Sequence, residues 1–400
     1  MAVSPQLSDY PWLRDESPSQ CGGLHVQRVS VRWEVPVYFT REAFSWENLS
    51  VVRALTRRAP GRRHRLLLVV ERTVADAHPN LVADVTRYVA VHRERLALGG
   101  ETILTSGGRC ALLDDELVTH VHGAIREINE DPSAVVVAIG GAALQELVSR
   151  ARPLRHLRVP TSVQSQIEAA IGPEAGVNAF RPRRSGDLGT PPLAVINDFD
   201  FLETVPARGA IAGMAQAVAV ALVRDPSFFG WLRLNASVLA SREPEVLAHL
   251  VRRAAHHPPA EPLEIGLTQR LDFGQWAANE LSSLTRGELA KGEALSIGCA
   301  LDAVYSAACG LLDPEALDPI VSTIEALGLP TYHPALDRDL PGGPRAVLEG
   351  LAVMRDGAYG EVALTLIDSI GHGVEAREID EDLVLRAIDW LRHRVPPARR

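Results

Sequence analysis

The first half of the chain alternates short, continuous apolar runs with longer segments of helical spacing. The runs LLLVV at residues 66–70 and AVVVAIGG at residues 134–141 are typical of strands buried on both faces of a sheet. Two further runs, RHLRVP at 155–160 and LAVIND at 193–198, predict later strands. Between the first two runs, ADVTRYVAVHRERLAL and DDELVTHVHGAIREIN repeat their apolar residues at helical intervals. This alternation predicts an α/β fold with a parallel sheet.

After about Val205 the apolar period changes to that of helices. One stripe consists of Ile211, Met214, Val218 and Leu222. Its spacing predicts a helix that packs one face against a core. Near the end of the chain, EVALTLIDSIGHG predicts a short strand before a final helix, DEDLVLRAIDWLRHR. The second half is therefore predicted to be mainly α-helical.

The length and composition of the chain predict more than one domain. Its 400 residues exceed the usual size of one domain, and 46% hydrophobic residues supply a sizeable core. We predict a disordered leader at 1–24, an α/β domain at 25–205 and a helical domain at 206–400.

No apolar stretch reaches the roughly 20 residues of a membrane helix, and the polar first residues lack a signal-peptide pattern. A net charge of −9 gives no attraction to nucleic acid or an anionic membrane, so we expect a cytoplasmic protein without either partner.

Counts of cysteine and lysine are also informative. The four cysteines lie far apart and form no CxxC pair, so we interpret them as free thiols. Lys291 is the only lysine, and the other 40 basic residues are arginines.

The arginine-dense run at 53–65 is typical of a solvated helix end and loop, with an anion-binding patch as the alternative. The histidines at 120, 122, 256 and 257 are interpreted as surface residues.

Two glycine pairs follow predicted strands in the α/β half. Gly140 and Gly141 end one apolar run, and Gly107 and Gly108 lie one helix earlier. Glycines at such turns let backbone N–H groups approach a phosphate at a helix N-terminus. Each pair alone is equally typical of a tight turn. Two pairs on neighbouring strand ends favour a dinucleotide crevice.

Longer segments carry a resemblance to a known family. They include AIGGAALQE (138–146), VPTSVQSQIEAAIGPEAGVNAF (159–180), AGMAQAVAVALVRDPSFFGWL (212–232), RLDFGQWAANEL (270–281) and LAKGEALSIGCALD (289–302). In this order, from about Val29 to Asp380, the chain resembles the sugar phosphate cyclases, the family of dehydroquinate synthase and the valiolone synthases. The resemblance implies an N-terminal Rossmann-like domain for NAD, a C-terminal helical domain and an active site in the cleft between them. It also implies a divalent metal and a sugar phosphate substrate.

The positions that the resemblance assigns to the metal carry other residues in this chain. The family's ligands are a Glu in AGxAExxK, a His in LxxGH and a His in HGEA, and these positions are Gln216, Gln275 and Lys291 here. A glutamine carbonyl is a weak donor for zinc, and an ammonium repels a dication. We therefore predict that no metal binds at these positions.

The cofactor side is also altered. The resemblance assigns cofactor contacts to Glu71, Gly107, Gly108, Gly140, Gly141, Thr161 and Ser162. Arg109 and Leu112 replace an acid and a lysine of the family, and Ala142 adds a methyl group where a close approach is needed. We predict weak or absent NAD binding.

Lys291, Arg270 and Glu168 remain as candidate catalytic residues. Arg270 could bind a phosphate or pair with Asp272, and Lys291 could anchor an oxyanion, act as a base or form an imine. One hypothesis is a repurposed, metal-free enzyme acting on a phosphorylated or polyhydroxy small molecule in specialised metabolism. The other is a non-catalytic relative that serves as a binding or dimerisation partner. The family's own metal- and NAD-dependent reaction is a third possibility. We expect a small-molecule ligand and a homodimer.

Overall fold

The computed structural model describes residues 34–108, 114–150, 155–171, 191–256, 272–341, 343, 345–352 and 364–394. The predicted leader and Arg270 lie outside these ranges. From Glu34 onward the chain forms one compact unit by its internal contacts. The boundary at 205/206 between two domains therefore stays a prediction.

A seven-stranded sheet forms the first half. Its strands are β1 (Val37–Thr40), β2 (His64–Glu71), β3 (Leu96–Leu98), β4 (Ile103–Thr105), β5 (Ala134–Gly140), β6 (His156–Pro160) and β7 (Ala194–Asp198). The order is β1-β7-β6-β5-β2-β3, with β4 also paired to β2. Every pairing is parallel, which confirms the predicted sheet. The carboxyl ends of these strands share one edge, where ligands bind in folds of this type.

Helices cover both faces of this sheet. They are α1 (Ser50–Thr56), α2 (Arg72–Ala77), α3 (Leu81–Val91), α4 (Asp115–Asn129), α5 (Ala142–Ser149) and α6 (Val163–Ile171). Val70 and Tyr88 belong to the apolar cluster on one face, and Val69 and Ile125 to the cluster on the other. The prediction of one helix over residues 83–98 is wrong for the last residues of that segment. There, Leu96 is fully buried in β3 and pairs with β2, because the sheet offers an apolar residue more burial than another helical turn would.

The second half is mainly helical, as predicted. Its helices are α7 (Asp200–Glu203), α8 (Ala207–Gly213), α9 (Ala215–Arg224), α10 (Pro226–Ala240), α11 (Pro244–Ala255), α12 (Gln275–Leu284), α13 (Lys291–Ala308), α14 (Leu317–Ala326) and α15 (Glu381–Arg394). Short 3-10 turns occupy Pro314–Ala316, Pro334–Asp337 and Ala346–Leu348. The predicted late strand is β8 (Leu364–Ser369), which pairs with β9 (His372–Ala376) as an antiparallel hairpin. Helix α13 runs through the centre and is buried along most of its length.

The predicted stripe after Val205 spans two helices rather than one. Met214, Val218 and Leu222 are fully buried, while the chain divides at Met214 between α8 and α9. The combined stretch Ala207–Arg224 is long and apolar enough to cross a membrane, with a mean hydropathy of 1.2. Because 72% of it is buried inside the protein, it has the character of a core segment.

The arginine-dense run lies at the amino-terminal edge of the sheet. Arg62 donates to the Pro132 carbonyl at 3.0 Å, and Arg63 donates to that of Leu96 at 3.2 Å. Backbone carbonyls of the protein thus accept hydrogen bonds from these guanidiniums. This favours the interpretation of the run as a helix end and loop.

Close backbone contacts at glycine bring the start of α13 towards the sheet. A Cβ added at Gly292 would lie 1.9 Å from the Ala212 carbonyl oxygen. One added at Gly213 would lie 2.7 Å from the Gln164 backbone nitrogen. The end of α8 is therefore held between the N-terminus of α13 and the N-terminus of α6. This contact sets the geometry of the site described below.

Candidate functional site

The glycine pairs meet at the carboxyl edge of the sheet, as predicted, and the side chain of Glu71 lies between them. Glu71 ends β2, and its Oε2 accepts a hydrogen bond from the Gly141 N–H at 2.8 Å. Its Oε1 accepts one from the Thr73 hydroxyl at 2.8 Å. A Cβ added at Gly107 would lie 2.2 Å from Oε1, and one at Gly140 would lie 2.9 Å from the Glu71 Cβ. Because these glycines have no side chains, the Glu71 carboxylate occupies the space between them.

The other predicted cofactor residues line the same edge. Gly108 has a φ of 68° and open space around it, so its left-handed backbone explains the glycine. Thr161 is buried, and its N–H donates to the Gly140 carbonyl at 3.2 Å. The Ser162 hydroxyl lies 2.8 Å from that of Ser165 in the first turn of α6. The predicted residues are thus neighbours, but several are bound to one another.

The arrangement at Glu71 does not fit a dinucleotide pyrophosphate. Such a group is held by free backbone N–H donors at a helix N-terminus. Here the Gly141 N–H, at the start of α5, already donates to a carboxylate. A carboxylate on this N–H would repel a phosphate group, whereas the ribose hydroxyls of a dinucleotide can donate to a carboxylate. Arg109 and Leu112, the other altered positions, lie outside the described residues.

Lys291 and Glu168 form an ion pair between α13 and α6. The Lys291 Nζ donates to Glu168 Oε1 at 2.9 Å, and Gln164 Nε2 donates to the same oxygen at 2.8 Å. The Glu168 side chain is 5% exposed and that of Lys291 is 46% exposed. The other oxygen, Oε2, is buried and has no hydrogen-bond partner within the described part of the chain. Two of the predicted catalytic residues are therefore in direct contact, and the ammonium is the half of the pair that reaches solvent.

Glu293 and Arg208 hold the first turn of α13, which begins at Lys291. Glu293 Oε2 accepts the Ala290 N–H at 2.8 Å, and both oxygens of Glu293 accept from Arg208 at 2.7 Å. The Arg208 guanidinium lowers the pKa of the Glu293 carboxyl. Carboxylates are favourable in the first turn of a helix. The interpretation of Gly292 and Glu293 as a helix start is thus confirmed, with Gly292 required by its contact with Ala212.

Sequence reasoning missed a third charged residue, Arg158. It lies in β6, is 7% exposed and has no hydrogen-bond partner at Nε within the described residues. Burial lowers the pKa of Arg158 to about 10, whereas the negative charge of Glu168 raises it. The signal was present in the segment RHLRVP, where an arginine interrupts an otherwise buried strand.

Gln216 and Gln275 lie in the first turns of two separate helices, α9 and α12. Gln216 is 5% exposed in α9, and Gln275 begins α12 half-buried. The position of Gln275 is fixed by Asp302, which accepts the Gly274 N–H at 2.6 Å and the Trp276 indole N–H at 2.7 Å. Burial raises the pKa of Asp302 to about 7. Among the described residues no hydrogen bond joins the two glutamines to each other or to Lys291.

The side chains at the predicted metal positions do not fit zinc. Zinc sites in proteins use thiolate, imidazole or carboxylate donors. The three positions carry two amides and an ammonium. Within the described ranges, no group of three or more His, Cys, Asp or Glu residues is placed to hold a metal.

One histidine differs from its predicted surface position. His122 is half-buried in α4, with Nε2 3.1 Å from the Leu147 carbonyl oxygen. It therefore packs against α5. A histidine on an amphipathic helix can face the core when a carbonyl is available to its ring.

Comparison with known proteins identifies the family. Residues 105–212 match the family model described as 3-dehydroquinate synthase N-terminal, and residues 213–341 match the one described as 3-dehydroquinate synthase C-terminal. The chain belongs to the 3-dehydroquinate synthase family. A 3-dehydroquinate synthase from Halorhodospira halophila is 31% identical over 328 residues, covering 78% of this chain and 89% of that relative. One from Xanthomonas campestris is 27% identical, covering 84% and 91%.

Solved structures agree with the family assignment. The 2-epi-5-epi-valiolone synthase ValA from Streptomyces hygroscopicus, with NAD+ and Zn2+ bound, has a TM-score of 0.76 at 26% identity, covering 92% of this chain and 100% of ValA. A 2-deoxy-scyllo-inosose synthase has a TM-score of 0.67 at 15% identity, covering 88% of this chain and 95% of that protein, and supports the fold alone. The resemblance to sugar phosphate cyclases and the predicted fold class are confirmed. The roles of the individual site residues stay predictions.

Proposed function

We propose that this member of the 3-dehydroquinate synthase family is a metal-free enzyme acting on a phosphorylated or polyhydroxy small molecule. The observation that carries the proposal is the Lys291–Glu168 pair. An ammonium stands at a position to which the family resemblance assigns a metal ligand, and it is held in place by a buried carboxylate. The reaction named for the relatives is the alternative, and the amide and ammonium groups at the three positions argue against it.

Lys291 is proposed to anchor an oxyanion of the substrate. An ammonium has several N–H donors, and here one of them is directed at Glu168. Since the lysine side chain is half exposed, the remaining donors can reach a ligand in solvent. Preorganised cations of this kind stabilise negative charge as it develops on oxygen. A lysine that forms imines needs a neutral amine, which burial away from carboxylates favours. The contact with Glu168 therefore favours anchoring over imine chemistry.

Binding of NAD is proposed to be weak or absent. The support is the carboxylate of Glu71 on the Gly141 N–H, one of the backbone donors at the helix N-terminus where a pyrophosphate would bind. When bound, NAD supplies transient oxidation of an alcohol. In this chain Glu71 would have to leave the crevice before the glycine turns could hold that cofactor. Arg270 is retained as a proposed phosphate contact on the basis of the family resemblance.

The presence of a single lysine makes the proposal directly testable. Purified protein is incubated with a panel of sugar phosphates and polyols, and binding is followed by thermal shift in the wild type, Lys291→Arg and Lys291→Ala. Anchoring predicts that binding partly survives in Lys291→Arg and is lost in Lys291→Ala. Borohydride treatment followed by peptide mass spectrometry tests the imine, because only Lys291 and the α-amine can be trapped.

The outcomes separate the hypotheses. A borohydride-stable adduct on Lys291 would replace anchoring by covalent chemistry. Binding that is unchanged in Lys291→Ala would overturn the functional role of this lysine and would support a non-catalytic binding partner.

A further inference from the structure

Three charged side chains of this region combine two buried groups with one that reaches solvent. They are Arg158 in β6, Glu168 in α6 and Lys291 at the start of α13. The first two are buried, with 7% and 4% of their surface exposed, and the third is half exposed.

The position of Arg158 in its strand directs it towards Glu168. Leu157 and Val159, on either side of it, pack in the apolar cluster on one face of the sheet. Because side chains alternate along a strand, Arg158 points to the other face. Its cross-strand neighbour there is Ala138, which packs in the cluster under α4 and α5. Helix α6 follows β6 directly and packs against it. The crossovers from β5 through α5 to β6 and from β6 through α6 to β7 run in the same direction across the sheet, so α5 and α6 lie on the same face. Glu168 on α6 is therefore on the face to which Arg158 points, and its negative charge raises the pKa of Arg158.

The charges of these three groups do not cancel. Lys291 and Glu168 alone form a neutral pair, which has little net attraction for an anion. Arg158 adds a positive charge behind the pair, so the group as a whole carries one net positive charge. Charges buried in a protein act over longer distances than charges in water, because the surrounding dielectric constant is lower.

We propose that Arg158 determines the charge selectivity of the site, so that its ligand carries a phosphate or a similar oxyanion. This inference rests on the proposed function, in which Lys291 is the direct contact. Arg158 itself need not touch the ligand. It acts through the electrostatic balance with Glu168 and is a specificity-determining residue for that reason.

Substituting the charges one at a time tests this balance. The probe is inorganic phosphate, and the readout is the NMR signal of the single lysine in selectively labelled protein. Arg158→Met removes the positive charge and is expected to weaken phosphate binding by about tenfold. Glu168→Gln removes the negative charge and is expected to strengthen it by about tenfold. The double variant, with the same net charge as the wild type, is expected to bind as the wild type does.

Two controls address folding and total charge. Arg158→Lys keeps the charge and is expected to bind phosphate as the wild type does, so a loss seen only in Arg158→Met is not a packing effect. Arg224→Met removes a partly buried arginine from the other end of the helix that carries Gln216, and little change is expected. If Arg158→Met does not fold, the Glu168→Gln variant alone still tests the sign of the effect.

The results distinguish this inference from the proposed function. If phosphate shifts the Lys291 signal equally in all variants, the role of Arg158 is wrong while Lys291 remains the anchor. If phosphate does not shift that signal in the wild type or in Glu168→Gln, both proposals are wrong. If Glu168→Gln weakens binding, the charge-balance argument is overturned.

Discussion

The glycine crevice and the start of α13 both retain glycines that the family resemblance implies, but different groups lie beside those glycines. In the crevice the glycines are retained, and the groove between them holds Glu71. At the start of α13 the glycine is also retained, because Gly292 packs against the Ala212 carbonyl, but the neighbouring residue is Lys291, where the family resemblance implies a histidine. In both places the residues that allow close backbone packing persist, and the residues that would hold a ligand differ. A retained glycine in this protein is therefore evidence for the fold more than for a cofactor.

The largest expected effect comes from adding a methyl group at the α13 contact. Gly292→Ala would place a Cβ 1.9 Å from a backbone oxygen that cannot move independently. We expect the free energy of unfolding to fall by about 3 kcal/mol or more, measured by urea denaturation. Gly230→Ala is the matched control, since it lies inside α10 with nothing within 4 Å of the added Cβ. It should leave stability unchanged or raise it by about 0.5–1 kcal/mol. Equal stability of Gly292→Ala and the wild type would remove the structural explanation for this glycine.

A buried histidine at the amino-terminal end of β6 extends the comparison to a residue outside both of these places. His156 is fully buried, and burial lowers its pKa to about 3 from the ordinary value of 6.5. Between pH 6.5 and pH 3 the histidine of the unfolded chain binds a proton, whereas His156 of the folded chain does not. The contribution of His156 to stability is therefore complete above pH 6.5 and is lost as the pH falls towards 3. We expect this histidine to cost up to about 1.4 kcal/mol per pH unit in that window. Denaturation at pH 7 and pH 5 measures it, and the dependence should shrink in His156→Leu. An undiminished dependence in that variant would assign the acid sensitivity to other groups.

A smaller effect tests the crevice itself. Glu71→Ala frees the Gly141 N–H and removes a negative charge, so affinity for NAD should rise by about tenfold in a calorimetric titration. Thr73→Ala removes the hydroxyl that donates to the same carboxylate and leaves the charge in place, and it should change affinity little. Weaker NAD binding in Glu71→Ala would instead mean that the carboxylate accepts the ribose hydroxyls, as in many dinucleotide-binding folds.

Much of the fold could be predicted because its signals are local. The apolar runs that became β2, β5 and β7 are continuous, and a run of that kind has few alternatives to a buried strand. Strands β3 and β4 have three residues each, too few to show a period. The first of them follows directly on a helical pattern, so Leu96 was assigned to that helix. The late hairpin was half predicted, since β8 is apolar and β9 is mostly polar.

The site could be predicted only where the residues concerned lie together in one short segment. The glycine turns and the altered metal positions are visible in short motifs. The contact of Lys291 with Glu168 joins residues 123 positions apart, and no spacing rule reports such a pair. Arg158 gave a signal, a charge inside a buried strand, but its partner is set by the packing of α6 on the sheet.

The measurement that tests the central claim most directly is metal content. The wild type and the triple variant Gln216→Glu, Gln275→His, Lys291→His are exposed to zinc or cobalt, desalted and analysed by elemental mass spectrometry. The account predicts no stoichiometric metal in the wild type and about one ion per chain in the triple variant, which has the carboxylate and imidazole donors that zinc prefers. About one ion per wild-type chain, lost in Gln275→Ala, would contradict it.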